Sequence, residues 1–435
     1  MEKRNTYCKI RHLIFAVIHI AVWAFLISCT NNQSSKQAVR LGSLADSKSD
    51  TLKLSTSTSD NSIITEGLKQ GNMAKNSNIE YARYFHIMQD SCAVKRLIVK
   101  NRWSGKEKDD VYTLVPRDFK NQNTDAKQQG ITDDIYTIHY PVKKVVCMSS
   151  SHVAYLAELG EHECIKGISG TKFITNEKVR GLIKENRIAD VGGENLPDYE
   201  LIISMKPDVV IAYGINGGNN SHIEKLQQFG IKVLTIGDYL EDSPLGKLEY
   251  LKLFGELTQK REIADSIFIA KAQRYIDIKT KIASAIEGSD TTDVLLNAPY
   301  NGIWYIPGDK NYTSQLIKDA GGKILGAKED EIQPSQLSFE HVYQFALKAD
   351  VWLHPNIINT LKALEAENPL FKNIPALKNN RVYNNTLRNT PEGGSDFWET
   401  GVVEPHIILE EIAHILHPEL FTQENFKFKY YRRLK

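Results

Sequence analysis

The sequence predicts an α/β chain of two Rossmann-like lobes with parallel sheets, joined by one long rigid helix and preceded by an antiparallel β extension. The first observation behind this is a unit that occurs twice, about 140 residues apart. One copy is Leu196-Pro-Asp-Tyr-Glu200-Leu-Ile-Ile-Ser-Met-Lys-Pro-Asp208-Val-Val-Ile-Ala-Tyr213, and the other is Leu337-Ser-Phe-Glu340-His-Val-Tyr-Gln-Phe-Ala-Leu-Lys-Ala-Asp350-Val-Trp-Leu-His354. Each reads as a turn, an acidic residue opening a short helix, a break at Asp, then a buried strand. Leu201, Ile202 and Met205, like Val342, Phe345 and Ala346, have helical spacing. The second observation is that short apolar runs alternate with helical segments, which indicates a parallel sheet covered on both faces. The third is the stretch from Leu245 to about Glu287, which has almost no strand signal. Two similar lobes place a ligand between them.

From the N-terminus, Lys3, Arg4, Lys9 and Arg11 precede a 15-residue apolar stretch, Leu13 to Ile27. A spanning helix needs about 20 apolar residues, so residues 1–28 read as a signal peptide. The stretch ends in Leu26-Ile-Ser-Cys29, which resembles a bacterial lipobox. The resemblance implies cleavage before Cys29 and acylation of its thiol, giving a stable membrane anchor. Residues 29–78 are rich in Ser, Thr, Asn, Lys and Gln, as in Thr51-Leu-Lys-Leu-Ser-Thr-Ser-Thr-Ser-Asp60. They hold too little apolar surface to offset chain entropy and read as a disordered tether.

Residues 79–141 form the β extension. Tyr81 to Phe85, Val94-Lys-Arg-Leu-Ile-Val99, Asn101-Arg-Trp103 and Val111-Tyr-Thr-Leu-Val115 read as strands of a meander separated by turn residues. The first lobe spans 142–241. Strand Lys144–Ser149 leads into Ser149-Ser-Ser-His152, whose serines suit the cap of a helix that Gly160 ends. Ile165–Ser169 is the next strand, and helix Ile223–Phe229 precedes strand Lys232–Ile236. The linker spans 242–288, with Thr258 expected to cap a helix over 259–287. The second lobe spans 289–420. It opens at Asp293-Val-Leu-Leu-Asn297 and closes with strand Arg381–Tyr383, the loop Asn389–Glu399 and helix Val402–Leu416. Residues 421–435 read as a C-terminal tail.

With 54 basic and 53 acidic residues the net charge is +1. No domain-scale basic patch recommends nucleic acid. After removal of Cys8 and acylation of Cys29, three cysteines remain, none in a CxxC pair. Buried free thiols are expected, with a Cys147–Cys164 bridge as the competing reading in an oxidising compartment.

Loops at the carboxyl ends of parallel strands face the crevice. That rule nominates Ser149, Ser150, Ser151, Lys172, Phe173, Tyr213, Tyr300, Trp304, Tyr305, His354, Arg388 and Trp398 as ligand contacts. For each aromatic the competing reading is lobe core, and for His354 it is a satisfied structural histidine. The aromatics suit a large flat ligand, and Arg388 suits ligand carboxylates or an anionic chelate.

As an ensemble, residues 142–420 resemble the helix-linked periplasmic substrate-binding proteins of ABC importers for iron–siderophore complexes, heme and cobalamin. The resemblance rests on Val145 to Gly160, on Ile165-Lys-Gly-Ile-Ser-Gly170, and on Gly192-Gly through Tyr213. It also rests on the long helix, Gly302-Ile-Trp-Tyr-Ile-Pro-Gly308 and Ala320-Gly-Gly322. Gly393-Gly-Ser-Asp-Phe-Trp-Glu-Thr-Gly-Val-Val403 and the extension resemble the Bacteroidetes-type lipoprotein version. The resemblance implies a periplasm-facing monomer that binds an iron complex or cobalamin and hands it to a permease dimer with its ATPase. It implies no cofactor of its own, the ligand being a metal chelate or corrinoid. It also implies that Glu200 and Glu340, one on each lobe, dock onto permease arginines.

Other functions fit less well. A zinc or manganese receptor of the related helix-linked class needs convergent His and carboxylate ligands, whereas His406, His414 and His417 are expected on a polar face of the last helix. An enzyme is disfavoured by the lack of G-x-S-x-G, P-loop, H-E-x-x-H or strand-to-helix G-x-G-x-x-G motifs. A permease-independent surface scavenger is disfavoured because the tether begins Thr-Asn-Asn-Gln, without an acidic cluster.

Overall fold

Short apolar runs that cannot face water pair in parallel and are covered by helices on both sides. In the computed structural model, which describes residues 79–89, 93–100, 109–119, 133–193, 196–214, 221–288, 290–420 and 426–435, two such sheets form. The signal peptide, Cys29, the tether and strand candidate Asn101–Trp103 lie outside the described residues.

The extension comes first. Strands β1 (Phe85–Gln89), β2 (Lys95–Val99) and β3 (Asp110–Pro116) pair antiparallel. Strand β4 (Thr137–Tyr140), not anticipated, joins β3 in parallel, so the sheet is not wholly antiparallel.

The first lobe runs β5 (Val145–Cys147), α1 (Ser150–Glu158), β6 (Ile165–Ile168), α2 (Glu177–Lys184) and β7 (Ala189–Asp190). A small hairpin follows, β8 (Gly192–Gly193) with β9 (Leu196–Pro197), then α3 (Tyr199–Met205), β10 (Val209–Tyr213), α4 (Ser221–Gln228) and β11 (Val233–Ile236). Its sheet order is β11-β10-β5-β6-β7, all parallel. Gly160, at φ 73°, ends α1. Its N–H donates to Ala157 O and that of Glu161 to Leu156 O, a Schellman closure of two orphan carbonyls.

The linker is two helices, α5 (Pro244–Leu257) and α6 (Arg261–Ala285). Thr258 does not start α6 as expected. Its hydroxyl donates to Phe254 O at 2.8 Å, so it closes α5. Every residue of α5 is buried, because the extension covers the side that the first lobe and α6 leave open. Phe85 packs on Tyr250 with ring centroids 4.6 Å apart, and Lys95 pairs with Glu256. Tyr112 seals the free edge of β11, donating to Val233 O at 3.1 Å and accepting from Thr235 N at 3.3 Å. An unpaired edge is an aggregation hazard, and this phenol removes it.

Helix α6, 25 residues and roughly 37 Å long, touches both lobes. Lys260, just before it, reaches Leu159 O and Glu161 in the first lobe. Lys271 joins Glu158 to Val403 O. Tyr275 donates to Asp319 at 2.7 Å and Lys279 pairs with the same carboxylate at 3.0 Å. Among the described residues no helix is long and apolar enough to cross a membrane.

The second lobe runs β12 (Thr292–Leu296), β13 (Ile303–Ile306), α7 (Tyr312–Asp319), β14 (Gly322–Ile324), β15 (Ser335–Ser338), α8 (Phe339–Ala346) and β16 (Val351–Leu353). It continues through α9 (Leu361–Glu367), α10 (Pro375–Lys378), β17 (Val382–Asn384), α11 (Pro405–Leu416) and β18 (Arg432–Arg433). The order is β14-β12-β16-β17-β18, parallel except for the last pair, while β13 and β15 form a separate antiparallel pair. Residues 426–435 are therefore part of this lobe. Tyr430 and Tyr431 are fully buried, and the Glu411 carboxylate accepts the N–H groups of Lys429, Tyr430 and Tyr431.

Cys147 and Cys164 are buried free thiols. Val145 lies opposite Ile165 and Cys147 opposite Ile168. The cysteines thus sit about three residue steps, ~10 Å, apart along adjacent strands, beyond the ~7 Å that a bridge tolerates. Burial pushes the Cys164 thiol up to about 12.

Candidate functional site

The crevice wall of the first lobe is built where its strands end. After β5, the Ser149 hydroxyl accepts from Ser151 N at 3.3 Å and lies 3.0 Å from the Ser151 hydroxyl, capping α1. Ser149 and Ser150 are half-buried, whereas Ser151 is buried and so turned from the crevice into the cap. After β10, half-buried Tyr213 lies edge-on to His152 and to Tyr239, with centroids 6.4 and 6.0 Å apart.

Beneath these rings is a buried polar group that the strand-end rule did not nominate. His152 is fully buried. Its Nδ1 lies 3.1 Å from Ile211 O, so that nitrogen carries the proton. Its Nε2 stands 4.0 Å from Asp238 Oδ1, and burial holds the imidazole below its usual range. Lys247, on α5, lies 5.0 Å over the Tyr312 ring of the second lobe, and burial lowers its ammonium. His152 Nε2, Asp238 Oδ2 and the Tyr250 hydroxyl are buried without hydrogen-bond partners. Asp238 follows β11 and was within reach of the strand-end rule. Lys247 was not, because nothing in an apolar-looking helix marks one charged residue as facing another lobe.

In the second lobe and at the α1 cap, four nominations change. Trp304 is fully buried. Its Nε1 donates to Leu296 O at 2.8 Å, its ring stacks on Trp352 at 5.9 Å, and Phe371 meets it edge-on at 6.0 Å. It belongs to the lobe core, not the cleft. Tyr305 is also buried, on the β13–β15 pair. His354 does end β16, but its backbone is left-handed (φ 55°) and turns the ring inward. There it stacks on Tyr431 and shares a 2.7 Å hydrogen bond with that phenol, and burial lowers its pKa to about 3. Ser151 is the fourth, used by the cap. Tyr300 remains half-buried, in an isolated bridge with Ile303. Trp398 is half-buried against Phe397 and Tyr312.

Lys172, Phe173 and Arg388 come together at the seam between the lobes. Lys172 lies 5.0 Å over the Phe173 ring, and Arg388 Nε donates to Asp396 at 2.5 Å. A shallow depression of about 450 Å³ runs beside Arg388, between Ala157, His162 and Asn176–Lys178 on one side and Thr400 on the other.

The repeated unit folds alike in both copies. Asp198 caps α3, accepting from Leu201 N at 3.0 Å, and Ser338 caps α8, accepting from His341 N at 3.3 Å. Glu200 and Glu340 are each the second residue of their helix and are exposed. Its own backbone N–H and the Ser338 hydroxyl hold the Glu340 carboxyl below the usual range. His406, His414 and His417 do not form a polar face. All three are buried: His414 stacks on Phe426 and His417 Nε2 lies 3.0 Å from Ala320 O. Among the described residues no group of three or more His, Cys, Asp or Glu side chains is placed to hold a metal ion.

A model of the periplasmic binding protein family matches residues 145–386, more than half of the chain. The chain belongs to that family. As a periplasmic binding protein it is a solute-binding chain and not an enzyme. It is similar to an uncharacterized lipoprotein of Methanocaldococcus jannaschii, 25% identical over 315 residues, which covers 70% of this chain and 72% of the relative. It is likewise similar to an iron-uptake system-binding protein of Bacillus subtilis, 25% identical over 298 residues, 63% of this chain and 87% of that one. Among solved structures, a periplasmic heme-binding protein from Pseudomonas aeruginosa aligns with a TM-score of 0.50 at 17% identity, covering 64% of this chain and 93% of the other. That likeness bears on the fold alone.

For a binding protein the arrangement is serviceable. Half-buried rings at the strand ends offer flat apolar area with polar tips, and equivalent exposed carboxylates stand on both lobes.

Proposed function

We propose that this periplasmic binding protein is the receptor of an ABC importer. It is tethered to a membrane through acylated Cys29, and it captures an iron complex (siderophore or heme) or cobalamin between its lobes. It works with a permease dimer and that dimer's ATPase. The observation that carries the reading is the pair Glu200 and Glu340, exposed at the same position of equivalent helices in the two lobes. One acidic residue in a first turn is ordinary helix chemistry, worth ~0.3–1 kcal/mol. Two at matched positions on separate lobes fit a partner with paired cations. For the ligand, Tyr213, Tyr300 and Trp398 supply the ring faces a chelate or corrin needs, and the kinship to an iron-uptake binding protein supports an iron complex. The lipoprotein name of another relative supports the anchor.

The test is Glu200→Lys with Glu340→Lys. Each lysine would face a permease arginine with like charge, which costs several kcal/mol at an interface. Ligand affinity and melting temperature should stay close to wild type while uptake in cells is lost, with each single reversal milder. Normal uptake by the double variant refutes docking through these residues; lost ligand binding places them in the cleft. Spectral titration with hemin, cyanocobalamin and a ferric catecholate, alongside elemental analysis for zinc and manganese, assigns the ligand.

A further inference from the structure

Under the rings of the first-lobe wall, polar side chains from three elements are enclosed together. His152 comes from α1, Asp238 follows β11, and Lys247 and Tyr250 stand one turn apart on α5. His152 and Tyr250 are fully buried, and Asp238 and Lys247 nearly so. These groups act on one another. Burial lowers the pKa values of His152 and Lys247, and the Asp238 carboxylate opposes it at both. Burial, then the charges of Glu241 and Asp238, raise that of the Tyr250 phenol. Aromatic rings wall the group. Tyr155 lies 6.1 Å from the Tyr250 ring and donates to Lys247 O at 2.8 Å, and Phe254 lies 6.3 Å from the His152 ring.

Among the described residues, no protein group completes the hydrogen bonds of three atoms here: His152 Nε2, Asp238 Oδ2 and the Tyr250 hydroxyl. His152 Nδ1 faces Ile211 O at 3.1 Å, and a carbonyl only accepts, so Nδ1 carries the proton and Nε2 is a bare acceptor. Nε2 looks at Asp238 Oδ1 from 4.0 Å, acceptor against acceptor and too far for a direct bond. The other buried acids nearby are committed. Glu241 accepts the N–H groups of Arg83 and Tyr84, and Glu249 accepts those of Glu80 to Ala82 and the Lys252 ammonium. The Lys247 ammonium rests 5.0 Å over the Tyr312 ring. Buried polar atoms left in this way are costly. The set asks for a guest that donates twice, to Nε2 and Oδ2, and accepts once, from the phenol. An ammonium ion only donates and a halide only accepts, whereas water does both. Buried waters typically bind about three such groups. Two hydrogen bonds of ~2.8 Å meeting at one oxygen span roughly 4–5 Å, which fits the 4.0 Å between His152 and Asp238.

We infer that this polar group is a binding site for one internal water, which donates to His152 Nε2 and Asp238 Oδ2 and accepts from the Tyr250 hydroxyl. The water joins α1, the end of β11 and α5, and so ties the wall beneath Tyr213 to the linker. His152 and Asp238 are then structural groups spent on the water and not contacts for a ligand in the crevice. The inference rests on buried geometry alone and does not depend on the proposed function.

The test uses the full chain in detergent, with its histidines labelled in nitrogen and carbon for magnetic resonance. The His152 signals are assigned by their loss in His152→Gln. They should show a neutral ring protonated on Nδ1, with the Nε2 signal upfield of an unbonded imidazole nitrogen and with cross-relaxation between water and the carbon-bound ring protons. Tyr250→Phe keeps the ring and removes only the O–H, so it reads the bond by sign. If the phenol donates to a water, the variant should melt at least about 2 °C lower than wild type. If the phenol has no partner, removing it relieves a buried unsatisfied group and the variant melts higher. A melt at or above wild type therefore overturns the site. So does an Nε2 signal at the unbonded position, or a ring protonated on Nε2, which would pair directly with Asp238. A shifted Nε2 signal without cross-relaxation to water assigns that bond to a protein donor and overturns the site as well. If Tyr250→Phe fails to fold, the His152 signals of the wild-type chain decide the matter.

Discussion

Replacing Trp304 by alanine should remove much of the second lobe's margin of stability without touching ligand affinity. The indole is fully buried between Trp352 and Phe371, and its N–H satisfies Leu296 O. Truncating a buried Trp to Ala costs ~3–5 kcal/mol in lost contacts and residual cavity. Leaving the Leu296 carbonyl unpaired adds ~1–3 kcal/mol. The two overlap where the cavity admits water, so a loss of ~4–6 kcal/mol is expected against a typical total of ~5–15 kcal/mol. Trp304→Phe keeps the stacking and forfeits the hydrogen bond, so it should lose roughly half as much. Urea unfolding followed by far-UV circular dichroism reads this as a midpoint shift of ~2 M or more, at a slope of ~1–3 kcal/mol per M. Hemin or cobalamin affinity, measured on the folded fraction, should match wild type. A stability loss under ~1.5 kcal/mol with weakened ligand binding would refute the core placement and return Trp304 to the cleft wall.

Stability should hold or rise as pH falls from 7 to 5 and decline below about 4.5. The His354 and His406 rings are held down to about 3 and about 4 by burial, so their contributions are present above pH 6.5 and lost as pH falls toward those values. The carboxyls of Glu241, Glu399 and Glu411 are pushed by burial from 4.5 up to about 7. Their contributions therefore grow as pH falls through 7 and are complete at 4.5, outweighing the loss from the two histidines above that point. Thermal melts across pH check this, His354→Asn should flatten the acid limb, and a steep decline already between pH 7 and 5 refutes it. Deleting residues 426–435 should lower the melting temperature by more than 10 °C, at ~2–4 °C per kcal/mol. It removes Tyr430 and Tyr431 from the core and strands the Glu411 carboxylate; a melt within 2 °C of wild type would refute that role.

Local patterns were legible. The repeated unit, the strand–helix alternation and the long strand-free stretch each rest on contacts within about ten residues, and each appears as expected. So did the first-turn glutamates, because cap chemistry is local. What failed depended on distant partners. Trp304 and Tyr305 follow a strand, as the crevice rule asks, but they sit on the short β13–β15 pair, where both are buried and the Trp304 ring packs on Trp352 and Phe371. His354 obeys the same rule in backbone position and breaks it in side chain, because Tyr431 waits 77 residues later. The C-terminal segment carries no periodic signal, since a two-residue edge strand is too short to show one. Thr258 looked like a helix start because Ser and Thr cap helices; its hydroxyl instead bonded back to Phe254.

A shared device accounts for how the peripheral parts are held. Four buried glutamates each accept a run of successive backbone N–H groups. Glu249 takes those of Glu80, Tyr81 and Ala82, and Glu241 those of Arg83 and Tyr84, so two carboxylates pin the entry of the β extension. Glu411 pins Lys429 to Tyr431, and Glu399 pins Thr175 and Asn176 across the lobes. A run of N–H groups is what remains where a segment crosses over without joining a sheet, and such groups must find acceptors when buried. A carboxylate meets two or three at once, and hydrogen bonds to a charged group are the stronger kind. The arrangement also explains why these glutamates are invisible in sequence. Each sits in a helix or turn that looks ordinary, and its partners are 18 to 224 residues away. Three of the four bind a segment within one lobe or its flank, two at the entry of the extension and one near the C-terminal end. Glu399 alone of the four binds lobe to lobe, so the chemistry that holds a crossing segment elsewhere holds, at that one place, the two halves of the molecule together.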